Sequence, residues 1–316
     1  MVLDKCGAFL RRYKSVAILA VLLLVVGIVQ PSFFSGANIR NLFLKVSIQG
    51  IIGFGMTFCL IAGEFDMSVG SILTLCGIVF ATLLERISFL PALLLTLIIG
   101  IVLGAINGTL VARMKLSSFI ATLGAMYAYK GLALLISQGN PIRVSDPTAI
   151  SISNVRIGGN TIFPFLFILV GFISAYVLQR TRVGRNIYAT GGNAEVAKNS
   201  GINIGRYKTM AFMIVCGSAA LAGALMTIRL QSATSIAGDD TNLTVISSII
   251  IGGTSPAGGV GSAFESFIGL IIIGTVTTAL DIMNISGYYQ QVVQGILTVV
   301  IIGAASFSNY RKTSAI

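Results

Sequence analysis

Residues Phe89 to Val111 read FLPALLLTLIIGIVLGAINGTLV, a run without a charged side chain. About 20 apolar residues cross the hydrocarbon of a bilayer as a helix, so this stretch calls for lipid rather than water as its solvent. Within it, Gly100, Gly104 and Gly108 recur at every fourth position. They form one small face, the kind that lets two helices in lipid approach closely. Working outward, further apolar runs lie at about 16–30, 39–62, 67–85, 117–137, 162–179, 209–229, 243–253, 262–284 and 288–305. With the first they predict ten spans. Asn38 stands where a cap of the second span is expected, and Gly63 where that span ends. The expected fold is all-α: a polytopic membrane protein of about ten transmembrane helices, one domain over residues 1–316.

Composition agrees. The chain of 316 residues is 55% hydrophobic and only 10% charged, against about 25% charged in soluble domains. Its 36 glycines suit close helix packing. The net charge of +11 lies in short loops between apolar runs, which points to membrane topology rather than nucleic acid. With the N-terminus inside, fourteen basic residues fall in interior segments (1–15, 113–116, 180–208 and the tail). Six fall outside or at outer ends: Arg40, Lys45, Arg86, Arg143, Arg156 and Arg229. The positive-inside rule then places both termini in the cytoplasm. Lys5, Arg11, Arg12 and Lys14 precede the first apolar run without a small-x-small cleavage site after it, so that run reads as an uncleaved span.

Much chemistry is excluded. Histidine is absent, and Cys6, Cys59, Cys76 and Cys216 form no CxxC pair, which argues against zinc and against a disulfide framework. No phosphate-binding G-x-x-x-x-G-K-[ST] loop, nucleophile elbow or dinucleotide fingerprint occurs. Neither does a chain of intramembrane acids that would relay protons.

Three segments stand out. The loop 180–208 carries Asn193 where an N-cap belongs and Gly201 at a helix C′ position, with Glu195 and Lys198 placed to suit the helix dipole. A short helix between them needs a surface to lie on. That surface is either lipid headgroups, drawn by Arg182, Arg185 and Arg206, or a partner subunit. In GEFDMSVGS, residues 63–71, Glu64, Asp66 and Ser68 are candidates for a translocation path. The alternative is a short cytoplasmic turn in which Asp66 or Ser68 caps the third span, the better reading for Asp66. GGTSPAGGVGS, residues 252–262, breaks the helix, making Gly252, Gly253, Thr254 and Ser255 either gate elements or an ordinary turn. Asn107 is a further path candidate, better read as interhelical glue. Lys130 is positioned to snorkel to the outer face. Asp239 and Asp240 fall in an outer loop where a partner could dock. VGS at 69–71 recurs at 260–262, a weak sign of an internal repeat.

Taken in order, these motifs resemble those of ribose-type ABC importer permeases. GEFDMSVGS resembles their G-x-x-D-x-S-V-G-S motif, and GRNIYATGGNAEVAKNSGI their cytoplasmic coupling segment. IIGGTSPAGGVGS is similar to GGTS-x-x-GG-x-GS, GYYQQVVQGILTVV to the last span, and SSFIATLGAMYAYKGLALLIS to a fifth motif, with Lys130 in place of the usual Arg. The chain departs from the pattern at Glu64, where Gly is frequent, and at Asn242-Leu243-Thr244. The resemblance implies a type II ABC-importer-like permease fold with a periplasmic loop at 138–160 and a cytoplasmic coupling loop at 180–208. It implies no catalysis and no cofactor in this chain, ATP and Mg being held by a partner ATPase subunit. It also implies a periplasmic or lipid-anchored solute-binding protein, a second permease chain, and residence in the bacterial inner membrane. Gly191, Gly192, Asn193, Glu195, Ala197 and Gly201 would belong to the helix that docks into the ATPase. The solute would be a pentose, hexose, polyol or furanose signal. An ion-coupled carrier acting alone is the alternative.

Overall fold

The computed structural model describes the backbone of residues 14–313 and side chains through residue 300. Lys5, Cys6, Arg11 and Arg12, and the side chains of Arg311 and Lys312, lie outside the described residues. The helices are α1 Lys14–Val29, α2 Gly36–Ile61, α3 Val69–Leu84, α4 Phe89–Ala112, α5 Ser118–Ser137, α6 Pro147–Asn154 and α7 Phe163–Arg180. They continue with α8 Arg182–Gly192, α9 Ala194–Asn199, α10 Ile204–Leu230, α11 Thr241–Gly252, α12 Ala263–Ile282 and α13 Gly287–Thr313. Two-residue strands pair antiparallel in the loops: β1 Ile142–Arg143 with β4 Ser232–Ala233, and β2 Arg156–Ile157 with β3 Asn160–Thr161. Among the described residues, six helices (α2, α4, α5, α7, α10 and α12) are long and apolar enough to cross a membrane, while α1, α3 and α11 are shorter apolar helices. The expected all-α polytopic class is present.

The hub is α10, packed against α4, α2 and α3. The glycine face of α4 meets it as expected. A Cβ at Gly100 would stand 2.3 Å from the Ala220 Cβ, one at Gly104 2.5 Å from the Phe212 carbonyl oxygen, and one at Gly108 2.7 Å from the Thr209 Cα. Apolar side chains drive no association where the solvent is itself apolar, so backbone proximity and van der Waals contact carry the joint. The other face of α4, with Leu90, Leu94, Ile98 and Val102, is exposed and suited to hydrocarbon.

Two local expectations change. Asn38 does not cap α2. A 3₁₀ turn at Pro31–Phe34 puts Ser35 at the cap, where its hydroxyl accepts from the Asn38 N–H at 3.3 Å, and the Asn38 amide donates to the Ser32 carbonyl instead. The segment before Asn193, read as loop, is the eleven-residue helix α8, capped by the Thr181 hydroxyl accepting from the Gly184 N–H at 3.2 Å. The VGS echo is not matched in register. The first copy forms the first turn of α3, and the second ends at Ser262, the N-cap of α12.

Two connections dip into the bundle. The turn 62–68 is interior, with Glu64, Asp66 and Ser68 buried. After α10, Gly238 donates its N–H to the Thr74 hydroxyl at 3.0 Å, and the Asn242 side-chain amide oxygen accepts from the Gly70 N–H at 2.6 Å. So α3 starts inside the protein, and the first turn of α11 packs against it. Non-helical backbone at such depth is tolerated where protein covers it.

Candidate translocation site

At the end of the bundle away from α9 lies a cavity of about 540 Å³ between α2, α10, α11, α12 and α13. Its polar lining is mostly neutral: Gln49, Thr241, Thr244, Thr277, Tyr288, Gln290, Gln291 and Gln294. These side chains are held in place. The Gln290 amide donates to Asp281 at 2.8 Å, the Gln291 amide donates to Asp240 at 3.0 Å, and the Gln294 amide reaches the Thr244 hydroxyl. Lys45, at the rim, pairs with Asp281. Arg229 donates to the Leu44 carbonyl at 3.4 Å and has no carboxylate partner among the described residues. Amides and hydroxyls both donate and accept. A wall of them can exchange hydrogen bonds with each hydroxyl of a neutral polyhydroxyl solute that has shed its water.

Deeper in the bundle, Asp66 anchors a buried polar node. One carboxylate oxygen accepts from the Ser68 N–H at 2.8 Å and from its hydroxyl at 2.6 Å. The other accepts from the Asn107 amide at 3.3 Å and the Cys216 thiol at 3.3 Å. The Tyr129 hydroxyl donates to the Asn107 oxygen at 2.8 Å. The node ties together α3, α4, α5 and α10. Asn107 is therefore interhelical glue. Ser68 occupies the N-cap of α3, but its hydroxyl makes no cap bond; the Asp66 carboxylate serves the Ser68 N–H instead. The favoured reading of Asp66 as a residue of a short cytoplasmic turn needs correction in one respect, because its side chain is fully enclosed. Glu64, nearer the α9 end, pairs with Lys208 of α10.

At the α9 end three glycine segments meet backbone to backbone. A Cβ at Gly191 would stand 1.8 Å from the Ile61 carbonyl oxygen, one at Gly258 2.7 Å from the Gly191 oxygen, and one at Gly259 2.5 Å from the Gly192 Cα. The Gly259 N–H donates to the Ile61 carbonyl at 2.8 Å. Gly258 and Gly259 have φ of +88° and +72°, which glycine adopts without steric cost. The Tyr188 hydroxyl donates to the Gly261 carbonyl at 2.6 Å, and burial, followed by the nearby Glu265, pushes that hydroxyl's pKa up so that the donor is retained. The ends of α2 and α8 and the 252–262 loop thus form one joint. From it projects α9, capped as expected: Asn193 accepts from the Val196 N–H at 3.0 Å, and Gly201 follows with φ +79°. Ala197 is buried, while Glu195, Val196 and Lys198 are exposed.

Comparison with known proteins decides the family. Residues 38–302 match the model of the branched-chain amino acid transport system/permease component family. The chain belongs to this permease family. It is 35% identical to the ribose import permease of Haemophilus influenzae, covering 97% of this chain and 96% of the relative. It is 38% identical to the ribose import permease of Bacillus subtilis (95% and 92%), and 37% to the D-allose transport system permease of Escherichia coli (91% and 89%). No solved structure matches the permease.

In the permease, the sequence-derived path candidates do not gather at the cavity. Glu64, Asp66, Ser68 and Asn107 lie on the buried turn and its node. Gly252 and Gly253 close onto Glu265, and Thr254 is buried at 3.5 Å from the Ser266 hydroxyl. The Ser255 N–H donates to the Val260 carbonyl at 2.9 Å, closing the 252–262 loop. Of the two docking candidates, Asp240 lines the cavity and Asp239 pairs with Lys130. Lys130 therefore meets an acid rather than reaching out alone. Sequence reasoning passed over the cavity's own residues. Their signal was Gln290, Gln291 and Gln294, three amides within one otherwise apolar span, with Gln290 and Gln294 four apart on one helix face.

Proposed function

We propose that this chain is the membrane-spanning permease subunit of a binding-protein-dependent ABC importer that carries a neutral sugar or sugar-like solute into the cytoplasm. The family match over residues 38–302, with relatives named for ribose and allose import, carries the reading. The neutral amide and hydroxyl wall of the cavity supports the solute class. In this reading ten helices cross the inner membrane, and the basic α9 end faces the cytoplasm with both termini.

The exposed surface of α9, with Val196 as an apolar contact, docks into a partner ATPase subunit that binds ATP and Mg²⁺. A solute-binding protein delivers its cargo at the opposite end, near Asp239 and Asp240. A second permease chain completes the channel. Because α9 is continuous with the glycine joint, displacement by the ATPase moves the ends of α2 and α11 together. The cavity then closes on one side and opens on the other. The buried turn with Glu64 and Asp66 and the Gly252–Ser255 segment are the moving parts between the two ends.

The test is uptake of labelled monosaccharides into proteoliposomes. Transport should require the ATPase subunit, the binding protein and internal ATP. Uptake by this chain alone, driven by a proton or sodium gradient, would instead make it a secondary carrier.

A further inference from the structure

The segment 180–208 reads two ways in sequence, as a helix on lipid headgroups or as a docking element, and the fold separates these onto two helices. While α9 projects from the joint, α8 is amphipathic. It buries Gly184, Ile187 and Thr190 and leaves Arg182 and Arg185 exposed, next to the exposed Arg180 that ends α7. Among the described residues, the only hydrogen bond from this trio's side chains is a long one, 3.5 Å, from Arg185 to the Arg180 carbonyl. No carboxylate pairs with any of the three among the described residues.

On the surface of α7, α2 and α12 runs a groove of about 290 Å³, and every residue lining it is apolar or glycine. Phe54 and Phe267 line its floor, with the buried Phe167 stacked between them at ring-centroid distances of 5.2 and 5.5 Å. Phe172 and Phe264 stand exposed at its edges, and Ala175 leaves room at one side. The loop that leads into α12 links the groove to α8. The groove's residues Ala263 and Phe264 open α12, just after Gly261, whose carbonyl accepts from Tyr188 of α8. Along α7, Arg180 follows Ala175 by about 7.5 Å of rise and about 140° of turn, so its long side chain reaches the groove's end from around the helix.

We propose that this groove and the Arg180, Arg182 and Arg185 cluster form a site for one anionic phospholipid of the leaflet at the α9 end. An acyl chain lies over the phenylalanine floor, and the headgroup phosphate sits among the guanidiniums. Guanidinium pairs with phosphate through two parallel hydrogen bonds, and basic side chains at an anionic leaflet add attraction that a zwitterionic lipid does not return. A lipid held there rests on α8, which enters the glycine joint directly, so its occupancy bears on the same element that carries α9.

Native mass spectrometry of the full-length permease, offered equal amounts of phosphatidylglycerol and phosphatidylcholine with identical chains, tests the site. Wild-type protein should retain phosphatidylglycerol in preference. The double substitution Arg182→Gln/Arg185→Gln should lower that retention by about fivefold or more and leave phosphatidylcholine unaffected. Ala175→Leu, which fills the groove, should lower both. Equal retention of the two lipids by the wild type overturns the proposal, and so does unchanged retention in the folded variants. It is equally overturned if Ala175→Leu dissociates a permease dimer while lipid stays bound, since a second copy would then be what covers the groove. Should a variant fail to fold, the wild-type preference alone decides.

Discussion

At the α9 end, Ile61, Gly191 and Gly259 meet through main-chain atoms, with no space for one added carbon. At the other end, α2, α10, α11, α12 and α13 stand apart around some 540 Å³ and meet through amides, hydroxyls and an ion pair. Both ends draw on overlapping helices, since α2 and α11 run from one to the other, yet their tolerances are opposite. A joint made of backbone transmits displacement because it has no rotamers to absorb it. A cavity made of side chains can re-form its hydrogen bonds around a passing solute. The contrast matches the concentration of glycine at 63, 191, 192, 258, 259 and 261, where backbones meet, and of glutamine and threonine in the cavity wall.

The contrast is most easily broken at Gly191. Gly191→Val places carbon atoms where the Ile61 carbonyl oxygen stands and should abolish ATP-driven uptake while protein still reaches the membrane; transport at even a tenth of wild type would mean the joint is not tight. Asp66→Leu comes next. It strips the Ser68 N–H and the Ser68 hydroxyl of their acceptor, and stranded buried donors cost about 1–3 kcal/mol each. The melting temperature should fall by several degrees, and Asp66→Asn, which keeps an acceptor, should recover most of it. At the cavity the changes should be graded rather than absolute. Gln294→Leu or Thr244→Val should reduce monosaccharide uptake several-fold with no change in melting temperature, because these groups line space rather than fill it. A collapse of stability there would show that the wall is structural. Smallest is Asn193→Ala, which removes the cap of α9 at about 1 kcal/mol. It should weaken ATPase association measurably in pull-downs and leave solute binding at the other end untouched.

The apolar helices were legible because charge-poor apolar runs have few other places to go, and the α4 glycine face foretold its tight joint without naming α10 as the partner. Asn193 and Gly201 revealed α9, since caps are local. The eleven-residue α8 stayed hidden behind Gly184, Gly191 and Gly192, which read as loop. Here tertiary contact outweighs propensity: Gly184 lies against the Leu178 carbonyl and Gly191 against that of Ile61. Asn38 lost its cap to Ser35 because Pro31 started a 3₁₀ turn just upstream. The cavity was the least legible part. Its wall comes from several helices spread between Lys45 and Gln294, and only the fold brings them together. Glu64 and Asp66 drew attention as charges among apolar residues, but they belong to internal pairing on the buried turn.

The claim everything turns on is that α9 is the grip through which an ATPase moves the joint. A photo-crosslinking amino acid at Val196, exposed on α9, illuminated in cells that express the whole transporter, tests it directly. The account predicts a single adduct, the permease joined to the ATPase subunit. An adduct with the solute-binding protein, or none while uptake is normal, would contradict it.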